Sequence, residues 1–303
     1  MNDFVIMGEC LIELAWDEKG NINQGFAGDV YSVAAYLKRA NPSARARLLC
    51  AIGQDALSQA LVSSLESETV ETSLLLPHPQ RHLGLYAINN DAKGERTFMY
   101  WRSESAARQT LSLLDAATLL QAPPAVFYFT GISLAILEPD SRLAFWQLVE
   151  SLISAGTRIV FDSNYRARLW AHKDEAKGQY ERAFTSAHMI LPGVDDFEAL
   201  YDLQSGEAVA EFLSQFDVET LVIKNGPGEI LYGQPQALER FPVTPVAQVI
   251  DTTAAGDSFA GTLLAQLSKG DALVDAIARA AFIAGRVIGH KGAILPANLY
   301  PAD

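Results

Sequence analysis

Short apolar runs alternate with longer amphipathic segments along nearly all of the 303 residues. The runs "FVIM" (Phe4–Met7), "ARLLCAIG", "AVFYFTG", "RIVFDSN", "MILP" and "TLVIKNG" have strand length and are rich in branched and aromatic side chains. Between them, segments such as "SRLAFWQLVESLISAG" and "EAVAEFLSQF" repeat apolar residues at three- and four-residue spacing, the period of a helix with one buried face. This alternation predicts an α/β fold, a mainly parallel sheet flanked by helices on both faces. In such sheets ligands bind beyond the carboxyl ends of the strands. Residues that directly follow strands are therefore the first functional candidates.

One region departs from the pattern. "GLYAINN" and "RTFMYWR" read as two strands joined by the turn-rich "DAKGE", inserted between α/β units. A lone hairpin is marginal in water, and its aromatics leave one face apolar. It is expected to join strands from about residues 11–28, so that 11–28 and 84–102 form a small β-sheet lid over the strand ends. With no repeat, low-complexity tract or long linker, the chain is expected to be one domain over residues 1–303.

Composition narrows the setting. With 49% hydrophobic residues the chain can bury a large core. A net charge of −13 opposes a nucleic-acid or anionic-membrane partner, because both demand a basic surface. It leaves room for a small anionic ligand, which a few local arginines can serve. Cys10 and Cys50 are too few for a disulfide framework, which points to a reducing cytoplasm. "MNDFVIMGEC" lacks the basic start and apolar core of a signal peptide, and no run approaches the roughly 20 apolar residues of a membrane span. The five histidines show no metal-binding spacing, and no Gly-x-x-x-x-Gly-Lys-Ser/Thr phosphate loop occurs.

The stretch "DTTAAGDSFAG" (residues 251–261) sets a carboxylate, Asp257, into a bed of small residues where an apolar helix begins. Two readings are open from these residues alone. Asp257 is an N-cap accepting from a free backbone N–H, or the bare N–H groups form an anion cradle with the carboxylate as a base beside it.

From "GFAGDVYSVAAYLKR" through "GERTFMYWRSESAAR" and "FDSNYRARLW" to "DTTAAGDSFAG", the chain resembles the ribokinase-like (PfkB-type) carbohydrate kinases over essentially its whole length. The resemblance implies an α/β core with a small β-lid and transfer of the γ-phosphate of ATP to a sugar hydroxyl. It is strongest toward the branch that acts on the sugar acid 2-keto-3-deoxygluconate. A fructokinase-like enzyme is the alternative, and a sugar-binding sensor without turnover is a second. By resemblance Asp257 is the base, and the backbone of Ala254, Ala255 and Gly256 forms the anion hole; Ala254 replaces the commoner first glycine. In "GFAGDVYSVA", Gly28 and Asp29 match a sugar-binding motif, while Ala27 stands for a glycine and Ser32 for an asparagine. A plain helix start capped by Asp29 accounts for that stretch equally well.

Alternation along "YWR" puts Tyr100 and Arg102 on one face, with Tyr86 on the partner strand. If that face looks into the cleft, Arg102 offers a planar fork of donors to a substrate carboxylate; a solvated arginine at a hairpin end is the simpler reading. In "FDSNYRARLW" the resemblance puts Arg166 against substrate and phosphate and Asn164 toward the nucleotide; Arg168 is expected at the surface or paired with an acid. Asp196 in "LPGVDDFEAL" is a candidate for Mg²⁺ through water, or an ordinary first-turn acid; Gly193 stands where the family has asparagine. "KNGPGE" resembles a nucleotide loop, with Lys224, Gly226 and Gly228 beside ATP, or is a plain turn. Asp251, with the main chain near Thr253, resembles a site for a monovalent cation such as K⁺. An apolar lid face is compatible with a homo-oligomer.

Overall fold

A computed structural model describes residues 2–16, 19–90 and 96–301. The apolar runs become β1 (Asp3–Met7), β2 (Leu11–Trp16), β3 (Ile22–Ala27), β4 (Arg45–Ile52), β5 (Leu75–Pro77), β6 (Gly84–Asn90) and β7 (Arg96–Trp101) in the first third. They continue as β8 (Val126–Thr130), β9 (Arg158–Asp162), β10 (Met189–Leu191), β11 (Thr220–Ile223), β12 (Glu229–Gln234) and β13 (Ala237–Pro242). Nine of them form one sheet in the order β13-β12-β11-β10-β9-β8-β1-β4-β5. It is parallel from β11 to β5, and only the β11–β12 and β12–β13 pairings, at one edge, are antiparallel.

Alternate residues of the central strands serve the two faces. Phe4 and Ile6 pack with the helices Asp29–Ala40 and Ala255–Lys269, while Val5 and Met7 pack with Pro139–Ser154 and Lys173–Ser186. Both faces are thus buried, which explains why these strands read as unbroken apolar runs. Chain order reverses at β1: the chain steps outward to β4 and β5 on one side, then to β8 and beyond on the other. The crevice at the carboxyl ends of β1 and β8 is the switch point where ligands of such sheets bind.

The expected lid is present. β2 and β3 join β6 and β7 in a four-stranded sheet, order β3-β2-β6-β7. "DAKGE" (residues 91–95) lies outside the described residues. Two helix starts are brought together by close packing. The Asp29–Ala40 helix lies against the Ala255–Lys269 helix, and a Cβ on Gly261 would stand 3.0 Å from the Leu37 nitrogen and 3.1 Å from Tyr36 Cβ. That contact needs glycine, and it sets Asp29 and Asp257 at the same end of the helix pair. No helix among the described residues is long and apolar enough to cross a membrane.

Candidate active site

Two cavities meet at Asp257. The larger, about 680 Å³, lies between lid and core and is lined by Gly28, Asp29 and Ser32, by Tyr86, Tyr100 and Arg102 of the lid, and by Arg166 and Arg168. The smaller, about 340 Å³, is lined by Asp162, Asp196, Lys224, Gly226, Ala255 and Gly256. Asn164, Arg166, Thr252, Ala254 and Asp257 line both, so they form the wall between the two chambers.

The N-cap reading of Asp257 does not hold. The cap of the Ala255–Lys269 helix is Ala254, in the left-handed region at φ 59°, and Asp257 is the third helical residue. Its carboxylate, partly buried, is free of capping duty. Burial, with Asp29 and Asp162 nearby, pushes its pKa well above the usual carboxylate range, against the pull of Arg166 and Lys224. Among the described residues no carbonyl accepts from the N–H of Ala254, Gly256 or Asp257. The Ala255 N–H differs from expectation: it donates to the Thr252 carbonyl at 3.2 Å. Asp257's own N–H takes its place among the free donors. Free N–H groups at the start of a 15-residue helix suit an anion.

Asp29 is likewise not a cap; Gly28 holds that position, and no side chain caps the helix. Gly28 has φ 134°, and a Cβ there would run into the Glu9 carbonyl. Only glycine lets the end of β3 come this close to the β1–β2 crossover. The buried Asp29 carboxylate accepts from Thr130 Oγ1 at 2.6 Å and from Asn164 Nδ2 at 3.3 Å. Burial raises its pKa despite those donors. Ser32 is buried beside it. Asn164 itself sits at φ 28°, a second non-glycine residue held in the left-handed region within the site.

On the lid, Tyr86 and Tyr100 stack with ring centroids 5.6 Å apart, and the Tyr86 hydroxyl donates to Glu13. Arg102 points to the same cavity, but its guanidinium donates to Glu9, which is 1% exposed. Arg168 is exposed, in line with the surface reading, and no acid pairs with it among the described residues. Its guanidinium carbon lies 3.7 Å from the centroid of the Tyr100 ring, across the cleft mouth.

In the smaller chamber Lys224 Nζ donates to both oxygens of Asp162, at 2.9 and 2.7 Å. Asp196 accepts from Ser163 Oγ at 2.6 Å and lies 3.6 Å from Arg166. Gly228 does not line it; its N–H closes the turn onto the Asn225 carbonyl at 2.8 Å. Asp251 also lies outside both chambers. It accepts from the N–H groups of Thr253 (3.0 Å) and Gly292 (2.8 Å), tying the loop before the cradle to the loop after the last long helix. Sequence reasoning missed Glu9, Glu13 and Thr130. The signal for the two glutamates was there: two acids in "MGECLIELAW", an otherwise apolar stretch.

A parallel α/β sheet, a β-lid over its switch point and an anion cradle beside a carboxylate define a phosphate-transferring enzyme of small molecules. The chain matches the pfkB family carbohydrate kinase model over residues 1–299 and belongs to that family. It is 37% identical over 305 aligned residues to the 2-dehydro-3-deoxygluconokinase of Escherichia coli K12, with 98% of each chain covered. It is 26% identical to the fructokinase of Salmonella typhimurium, covering 87% of this chain and 83% of that one. Among solved structures, a PfkB protein from Polaromonas sp. JS666 superposes with a TM-score of 0.84 at 24% identity, covering both chains fully. The 2-dehydro-3-deoxygluconokinase of Thermotoga maritima gives 0.82 at 20% identity, over 97% of this chain and 95% of that one.

Proposed function

We propose that the protein is an ATP-dependent sugar-acid kinase that phosphorylates 2-keto-3-deoxygluconate (2-dehydro-3-deoxygluconate) on its terminal hydroxyl, giving the 6-phosphate. The observation that carries this is the place of Asp257 in the wall between the lid-covered chamber and the anion cradle. A hydroxyl presented from the first chamber can lose its proton to Asp257 while its oxygen faces the second. A raised pKa makes that carboxylate a stronger base than an ordinary aspartate. The free N–H groups of Gly256 and Asp257, on the lining of the second chamber, are the donors for the negative charge that gathers in the transition state.

Gly28, Asp29 and Ser32 bind the sugar's hydroxyls from the core, and Tyr86 and Tyr100 cover it from the lid. Arg102 and Arg166 line the cavity as donors to the acid end. ATP supplies the phosphoryl group, and Mg²⁺ screens its charge. The chain fits both. A third groove, about 390 Å³ and lined by Phe241, Val243, Val246, Ala281, Phe282 and Gly285, suits a flat purine. Backbone N–H groups of Ile250 and Asp251, just before the cradle, donate to Ile288 at the end of the helix that walls this groove. Asn164, Lys224 and the Gly226 turn then border the phosphates. Among the described residues no three His, Cys, Asp or Glu side chains cluster as a metal cage. That suits Mg²⁺, which needs one or two carboxylates such as Asp196 plus phosphates and water. Asp251 is the proposed neighbour of a K⁺-like ion. The exposed outer face of the lid, with Ile22, Met99 and Trp101, is the proposed contact of a homo-oligomer. The cytoplasm, where ATP is made, is the expected compartment.

An ATP-consumption assay with ketodeoxygluconate, fructose and ribose side by side tests the assignment. The highest kcat/KM is expected on the keto acid. Faster turnover of fructose would make the protein a fructokinase, and binding without turnover would make it a sensor.

A further inference from the structure

The cations of the two chambers are not equally available to a ligand. Arg102 is bonded to the buried Glu9, Arg166 lies 3.6 Å from Asp196, and Lys224 holds both oxygens of Asp162. Each of these positive charges already has a negative one beside it. Arg168 does not: among the described residues no carboxylate lies within ion-pair distance of it. The reacting centre adds two further carboxylates, Asp29 and Asp257, in a chain whose net charge is −13. An anionic sugar acid entering this cleft therefore meets net repulsion unless an uncompensated cation receives it.

Arg168 has the geometry for that task. It belongs to the short turn Ala167–Leu169 on the core side and lines the larger cavity. A guanidinium carbon 3.7 Å from the ring centroid sets the group against the face of Tyr100, a cation–π contact. No hydrogen bond or ion pair occupies its N–H donors among the described residues, which leaves them for the fork onto a carboxylate. Arg102, by contrast, presents an ion pair rather than a cation.

We propose that Arg168, held against Tyr100, is the residue that selects an anionic substrate by taking its carboxylate. The proposal rests on the sugar-acid reading above. Arg102 and Arg166 remain as orienting donors, and Arg168 supplies the uncompensated positive charge.

The test compares wild type, Arg168→Ala and Arg168→Lys by calorimetric binding of 2-keto-3-deoxygluconate and of fructose, at low and high salt. Arg168 is exposed, so the variants are expected to fold, with Tm close to wild type. Arg168→Ala should weaken the keto acid at least about tenfold and fructose less than about twofold, and should flatten the salt dependence of acid binding. Arg168→Lys should fall between, because it keeps the charge and loses the fork. Equal losses on both ligands would overturn the proposal and make Arg168 a lid latch. Unchanged acid affinity in Arg168→Ala would overturn it as well, while leaving the kinase assignment intact. A wild-type protein that binds fructose and not the keto acid would instead overturn the sugar-acid reading, and the role of Arg168 with it.

Discussion

Glu9 and Arg102 form a buried ion pair at the root of the lid. Glu9 lies in the crossover from β1 of the core to β2 of the lid, and Arg102 directly follows β7, the lid's last strand. Their side chains are 1% and 11% exposed. Among the described residues, Glu9 Oε1, Arg102 Nε and Ser105 Oγ nearby meet no hydrogen-bond partner in geometry. Burial pushes the Glu9 pKa up, and Arg102 pulls against it.

Removing Arg102 therefore has two consequences. Arg102→Ala strands a buried carboxylate, a change that typically costs about 3–5 kcal/mol. A Tm lower by several degrees is expected, along with at least a ~30-fold loss of kcat/KM on the keto acid through lost donors. The stability deficit has a definite pH sign. Without Arg102 the folded-state pKa of Glu9 rises further above its unfolded value, so stability falls as pH climbs through it. Melting curves should show the smallest deficit near pH 5 and the largest above neutrality. Arg102→Ala with Glu9→Gln should recover much of the Tm and none of the acid turnover. A single mutant with wild-type Tm would mean that the pair does not hold the lid root.

Ala254 offers a test of the cradle's backbone. An L-residue in the left-handed region costs roughly 1–2 kcal/mol, and glycine's extra freedom in the unfolded chain takes back about 0.5–1 kcal/mol. Ala254→Gly should thus be as stable as wild type or up to about 1.5 kcal/mol more so, with kcat close to normal, because the N–H groups keep their places. Ala254→Val should melt well below wild type. A Tm loss in the glycine variant would show that the alanine methyl contributes packing that outweighs the strain.

The sheet was readable because the central strands are buried on both faces, which writes them as unbroken apolar runs such as "AVFYFTG". The lid strands were readable from alternation, and the cradle from its small residues. Charge partners were not. Whether Arg102 faces a substrate or Glu9 depends on how a hinge loop from residue 9 meets a strand end at residue 102, which no local pattern records. Arg168 is the surface residue that a polar loop predicts, but its contact with Tyr100 of the lid is written in no local pattern. Gly228 and Asp251 matched a motif, and no local pattern records that they also close a turn and brace two loops.

Asp257→Asn separates catalysis from stability in one variant. As the base, Asp257 should be worth about 10²–10⁴-fold in turnover, with ATP binding kept because the backbone donors are unchanged. Its stability effect should have the other sign. The folded-state pKa is raised by burial and by Asp29 and Asp162, so the folded protein carries the ionised group at a cost once pH exceeds that pKa. Asparagine removes the charge, and Tm should rise relative to wild type at pH 8 and much less at pH 5. In the wild type, the acid limb of kcat/KM, which reports the free enzyme, should lie above the ~3.9 of an ordinary aspartate. Near-normal kcat in the asparagine variant would remove Asp257 from the role of base. A Tm that fell at pH 8 would mean that the carboxylate is a structural bond, and the base would then have to be sought at Asp29, the other carboxylate on the cavity wall.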